Sequence, residues 1–74
     1  MIMQNFTDFE IIDFIENRIE FTRGEEQKEW VNKYDIFTNR NLFEKYNQTE
    51  KLKEVENIRI ELSEIMRLDR WGLQ

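Results

Sequence analysis

The sequence predicts an all-α fold, a compact bundle of three or four helices that forms one small domain over residues 1–74. The chain has no proline and only two glycines, so it lacks the turn residues that separate the strands of a β-rich fold. Its apolar residues recur at spacings of three and four, which is the period of an amphipathic helix. A chain of 74 residues also leaves room for one domain at most.

The first helix is predicted over residues 8–23. Thr7, followed three residues later by Glu10, matches a capping box, in which the hydroxyl and the carboxylate each bond a free backbone amide. Gly24 is expected to end the helix, because glycine readily adopts the left-handed conformation that follows many helices. At about 100° per residue, four isoleucines fall in one stripe and are expected to be core: Ile11, Ile12, Ile15 and Ile19.

Two further stripes run along this helix. The first lies roughly opposite the isoleucines and contains Phe9 and three carboxylates, Asp13, Glu16 and Glu20. It is either a solvated face or a face that binds a basic partner. The second contains Phe14 and Phe21, with Arg18 between them and the isoleucines. This pair either packs against the middle helix or forms an exposed interface beside Arg18.

The middle of the chain is predicted to form two helices, over residues 26–38 and 42–47, with a break near 39–41. Glu25 and Glu26 suit the positive end of a helix dipole. The apolar residues change face after the break, where Asn41 is expected to cap the short helix. A hairpin over 35–38 and 41–46 is the alternative. The predicted apolar face before the break comprises Trp30, Val31, Tyr34 and Phe37.

The last helix is predicted over residues 50–71, side by side with the first. Gly72 is expected to end it in a Schellman cap, with Leu73 against Leu68. Ile60 projects away from the apolar stripe, and Trp71 either clamps the end of the bundle or anchors a partner. The stripe consists of Leu52, Val55, Ile58, Leu62, Ile65, Met66 and Leu68.

Composition excludes several kinds of chemistry. The chain has no cysteine and no histidine, so it can form no disulfide and no thiolate metal site. It also lacks the commonest zinc ligand and the side chain that most often serves as a general base near neutral pH. A domain of this size usually needs a staple, a metal or a partner, so partner binding or oligomerisation is the expected source of extra stability. We therefore predict no cofactor and no metal.

One acidic pattern bears on catalysis. Residues 25–29 read EEQKE, and Glu61 and Glu64 form a second pair three residues apart. These strings are similar to the paired acidic motifs of the all-α, MazG-like nucleotide pyrophosphohydrolases, and that resemblance implies a Mg²⁺ site. It covers only these few positions, and the second pair lacks the aspartate of that family. The helix dipole already accounts for Glu25 and Glu26, so we predict that the protein is not an enzyme.

The charge distribution favours a protein partner over nucleic acid. The chain has 16 acidic and 11 basic residues, a net charge of −5, and residues 1–29 carry the whole excess. Negative charge discourages binding to phosphates. We find no signal peptide and no apolar run of the roughly 18 residues that a bilayer requires, so we predict a cytoplasmic protein. The abundance of Ile, Asn, Lys, Glu and Phe is typical of AT-rich coding sequences, as in many phages.

We therefore predict a small acidic, non-enzymatic protein that binds and occludes or regulates another macromolecule, as a phage- or mobile-element-encoded inhibitor would. Its partner is expected to be a protein with a basic surface. The alternatives are a self-associating structural or assembly protein and, less favoured, a dimeric DNA-binding regulator. The predicted partner-binding residues are Asp13, Glu16, Glu20, Phe14, Arg18, Phe21, Trp30 and Trp71.

Overall fold

Four helices make up the fold. The computed structural model describes the backbone of residues 6–72 and the side chains of residues 6–68. The helices are α1 (Asp8–Phe21), α2 (Gly24–Thr38), α3 (Arg40–Lys45) and α4 (Thr49–Gly72). The prediction of an all-α bundle is confirmed, and the chain adopts the four-helix version of it. The alternative hairpin is wrong, because residues 35–46 are mostly helical.

Helix α1 begins at the predicted capping box. The Glu10 amide donates to the Thr7 hydroxyl at 3.2 Å, and the Thr7 amide donates to the Glu10 carboxylate at 2.8 Å. The helix ends at Phe21, two residues earlier than predicted, because Thr22 and Arg23 are extended. Gly24 does adopt a left-handed conformation, with φ of 64°. However, it is the first residue of α2 and does not end α1.

The break between α2 and α3 is confirmed, but the predicted cap is wrong. Asn39 is the residue that precedes α3, and no side chain caps this helix. The side-chain amide of Asn39 instead donates to the backbone carbonyl of Asp35 at 2.8 Å, so it provides a hydrogen-bond donor to a carbonyl in the last turn of α2. Asn47, between α3 and α4, is the one described non-glycine residue with positive φ, at 54°.

The core lies where α1, α2 and α4 meet. From α1 it takes Ile11 and Ile15, while Ile12 and Ile19 are partly buried against it, so the predicted isoleucine stripe is confirmed. Helix α2 contributes Phe37, as predicted, and Ile36, which the sequence pattern missed. The eight buried apolar residues are Phe6, Ile11, Ile15, Ile36, Phe37, Val55, Ile58 and Leu62.

Burial along α4 falls toward its C-terminal end. Val55, Ile58 and Leu62 are buried as predicted. Ile65 is 36% exposed. Leu68 is 63% exposed, so the prediction that Leu68 is core is wrong. Its position on the helix turns it away from the face that contains Leu62. The predicted Schellman cap involves Leu73, which lies outside the described residues.

Polar contacts connect the helices at their edges. Asp8 accepts from Arg59 at 2.7 Å and from Arg40 at 3.3 Å, so it ties the start of α1 to α4 and α3. Lys33 of α2 pairs with Glu61 of α4 at 3.6 Å. Helix α1 packs mainly against α2 and has only a minor contact with α4, so the prediction that the first and last helices pack side by side is wrong. Within the described part of the chain, no helix is long and apolar enough to cross a membrane.

Candidate functional site

The outer face of α1 carries the candidate site. Asp13, Glu16 and Glu20, here called the acidic stripe, are all exposed on this helix. Their spacing of three and four residues places the carboxylates on one side of α1. Within residues 6–68 none of the three forms a salt bridge. The stripe therefore presents negative charge that no described basic side chain neutralises.

The acidic stripe makes one hydrogen bond to a neighbouring helix. The Tyr34 hydroxyl of α2 donates to the Glu16 carboxylate at 3.4 Å. This long, exposed bond leaves the second carboxylate oxygen of Glu16 available to a partner. In addition, the side-chain amide of Asn17 donates to the backbone carbonyl of Asp13 at 3.2 Å. This contact does not involve the Asp13 carboxylate.

Other carboxylates of the N-terminal segment have structural roles. Asp8 pairs with two arginines, and Glu10 belongs to the capping box. Glu25 pairs with Lys28 at 3.6 Å in the first turns of α2. Exposed pairs of this kind contribute little to stability. Because Asp8 and Glu10 are engaged in these contacts, the acidic stripe is the remaining row of carboxylates on α1 without a described salt bridge.

The two phenylalanines predicted as a pair have different environments. Phe14 is partly buried and meets Trp30 edge to face, with ring centroids 6.0 Å apart. Phe21 is 80% exposed. The prediction that both share one environment is therefore wrong. Phe14 and Trp30 join α1 to α2, so neither is available as a protruding anchor, whereas Phe21 is.

An open groove lies between these phenylalanines. It has a volume of about 390 Å³ and is lined by Phe14, Asn17, Arg18 and Phe21; we call it the aromatic groove. The Arg18 guanidinium lies 4.9 Å from the centre of the Phe14 ring, a cation–π arrangement. Within the described residues Arg18 has no carboxylate partner. The groove therefore combines apolar walls with an available positive charge.

Phe9 is an exposed aromatic residue on α1 that was not predicted as a site residue. It is 86% exposed and lies four residues before Asp13, at the N-terminal end of the acidic stripe. Its position on the helical wheel, among the carboxylates and away from the isoleucines, was the signal that could have identified it. Trp71 was predicted as a partner-binding residue, but its side chain lies beyond residue 68, the last side chain that the structure describes.

The acidic strings on α2 and α4 do not converge. Glu25, Glu26 and Glu29 are exposed, and Glu61 is engaged with Lys33. Across the side chains that the structure describes, no three residues of the types His, Cys, Asp and Glu are grouped so that they could hold a metal ion. The arrangement required for the pyrophosphohydrolase resemblance is thus not found in that part of the chain.

Comparison of the chain with known protein families, with curated proteins and with solved structures finds no match.

Proposed function

We propose that this protein is a small, non-enzymatic binding protein whose acidic stripe docks on a basic surface of another protein and occludes it. The observation that carries the proposal is the exposure of Asp13, Glu16 and Glu20 on one rigid helix, without a salt bridge among the described residues. Apart from the long Tyr34–Glu16 hydrogen bond, these carboxylates make no described side-chain contact with another helix, so they are available to a partner.

Helix geometry gives this surface a defined reach. From residue 13 to residue 20 the axis rises about 10 Å at 1.5 Å per residue, so the stripe matches a short row of lysine or arginine side chains. Complementary charge of this kind speeds association and selects partners. The remaining negative charge of residues 1–29 acts in the same direction at longer range.

Phe9 is the proposed anchor of this interface, in place of Phe14 and Trp30. Interfaces usually depend on a few aromatic residues that become fully desolvated on binding. Phe9 is 86% exposed in the free protein and adjoins the carboxylates, so one partner surface could cover both. Burial of this ring would supply affinity, while the carboxylates would supply orientation.

The biological setting follows from composition. An acidic chain of 74 residues without cysteine or histidine, with an amino-acid bias typical of AT-rich coding sequences, supports a phage- or mobile-element-encoded inhibitor or regulator that acts in the cytoplasm. Occlusion by a small folded domain needs no catalytic group, and composition provides few candidates for one.

The proposal is tested by affinity capture with the full-length protein as bait in a lysate of the organism that encodes it. Three baits are compared: the wild type, the triple variant D13K/E16K/E20K, and the matched control E25K/E26K/E29K, which changes the charge equally on α2. We expect the wild type and the control to retain the same protein, and the stripe variant to lose it. Elution of that protein should require moderate salt.

A retained protein that binds all three baits equally would contradict the proposal, because the location of the charge would then be irrelevant. A second comparison tests the anchor. The variant F9A should weaken retention severalfold, whereas I60A, which removes a similarly exposed apolar side chain from α4 (60% exposed), should not.

A further inference from the structure

We propose that the protein also self-associates head to tail, with Phe9 and Asp13 of one copy docked on the aromatic groove of a second copy. Phe9 would enter the space between Phe14 and Phe21, and the Asp13 carboxylate would pair with Arg18. This contact can form without the proposed basic partner, but it uses the same Phe9 and Asp13, so these two side chains serve only one of the two contacts at a time.

The aromatic groove has the size and the chemistry for such an occupant. Its volume of about 390 Å³ exceeds the roughly 150 Å³ of a cavity that accommodates a benzene molecule. One wall, Phe21, is 80% exposed and gains most from being covered. The Arg18 guanidinium lies 4.9 Å from the centre of the Phe14 ring and forms no salt bridge within the described residues, so its N–H donors are available to a carboxylate.

Phe9 and Asp13 form the complementary surface. Phe9 has the highest exposure among the large apolar residues that the structure describes. Asp13 follows four residues later, and side chains at this spacing on a helix lie about 5–6 Å apart. Arg18 and Phe21 are three residues apart and similarly close. Both surfaces therefore present an aromatic ring and a charge one helical turn apart, and the two charges are of opposite sign.

The exposed apolar residues of α4 are poorer occupants for the groove. Ile60 and Leu68 have no aromatic ring, and the neighbouring carboxylates on their helix already have cationic partners. Glu56 pairs with Arg59 at 3.4 Å, and Glu64 with Arg67 at 4.0 Å. A carboxylate that leaves one cation for another gains little. Asp13 has no such competitor among the described residues.

The two surfaces lie on different sides of α1, so the contact is heterologous and can repeat from copy to copy. Each added copy brings a net charge of −5, which opposes growth. At physiological ionic strength the Debye length is about 8 Å, so this repulsion is screened over most of the distance between copies, while the Asp13–Arg18 contact is not.

Sedimentation equilibrium of the full-length protein over a wide concentration range tests the inference. We expect the average mass of the wild type to rise with concentration. The variants F9S and F21S should each remain monomeric, because each has lost one of the two surfaces. Both side chains are exposed, so both variants should retain the helical circular dichroism of the wild type.

A mixture of the two variants provides the decisive measurement. F9S keeps an intact groove and F21S keeps Phe9 and Asp13, so an equimolar mixture should form a species of two chains and nothing larger. The charge swap D13R/R18E should restore association that R18E alone abolishes. A wild type that stays monomeric throughout, or a mixture that yields no two-chain species, would overturn the proposal.

Two control variants identify the surface. I60S, on α4, should associate like the wild type, and loss of association in this variant would place the interface on α4 and contradict the proposal. E16K/E20K should also associate normally, because neither carboxylate enters the contact. This second control separates self-association from partner binding, which the same two substitutions are expected to weaken.

Discussion

Ile11 and Ile15 lie four residues apart on α1, and both side chains are fully buried. Phe9 and Phe21 flank them in sequence but project to other sides of the same helix, where they remain exposed. Apolar character alone therefore does not decide burial at these positions. The direction of each side chain relative to α2 and α4 decides it, and this direction is set by the helical period.

At the residue scale, we predict that Ile15→Ala destabilises the protein by about 2–5 kcal/mol, because it removes buried methyl groups and leaves a cavity. That is a large fraction of the roughly 5–15 kcal/mol typical of a small domain. Phe21→Ala should change the free energy of unfolding by less than about 0.5 kcal/mol. Urea unfolding at low protein concentration measures both, and equal losses would mean that Phe21 is buried in solution.

At the scale of the elements, the connections between helices are short and depend on special backbone conformations. α1 and α2 are joined through extended Thr22 and Arg23 and left-handed Gly24. The Gln27 side chain donates to the Ile19 carbonyl at 2.9 Å and fastens this corner. These features fix the angle at which α2 returns along α1, and hence the contact between Phe14 and Trp30.

We predict that Gly24→Ala costs about 1–2 kcal/mol, because an L-residue is disfavoured in the left-handed conformation. Beyond Gly24, its chain neighbours and the nearby backbone of its own helix, no heavy atom lies within 4 Å of the position that a Cβ would occupy, so the loss would come from the backbone conformation alone. Gly24→Asn should cost less, since asparagine tolerates this conformation. Thermal unfolding distinguishes the two variants, and a Gly24→Ala variant as stable as the wild type would contradict the prediction.

At the scale of the whole molecule, a small core supports a large charged surface. The Cα atoms extend over 43 × 37 × 17 Å, and helices pack with axes 8–10 Å apart, so the shortest dimension holds about two layers. Eight of the apolar residues between positions 6 and 68 are buried. The margin of stability is therefore sensitive to the mutual repulsion of the carboxylates in residues 1–29.

We predict that raising NaCl from 0.01 M to 0.15 M increases the melting temperature, because the Debye length falls from about 30 Å to about 8 Å. The triple variant D13K/E16K/E20K should lose most of this dependence. Each reversal changes the charge by two, so the variant carries +1 in place of −5. A wild type whose melting temperature falls with salt would show that ion pairs such as Asp8–Arg59 outweigh the repulsion.

Local features were predictable because they depend on neighbours in sequence. The capping box of Thr7 and Glu10, the isoleucine stripe and the break at Asn39 each need only a few consecutive residues. The residues of the acidic stripe were predictable in the same way, since a helical wheel shows which carboxylates share a face. It does not show how far along the phenylalanine stripe a neighbouring helix reaches, and this is why Phe14 and Phe21 were wrongly expected to share one environment.

The sequence by itself determined the all-α class and the approximate positions of the helices, the isoleucine face of α1 and the exposure of the acidic stripe, because period, caps and charge are properties of the chain. Only the tertiary structure decided that Trp30 covers Phe14 and leaves Phe21 exposed, that Ile36 enters the core, and that Leu68 does not. These outcomes depend on where one helix crosses another, and that is set by the corner at Gly24 and by packing across the core.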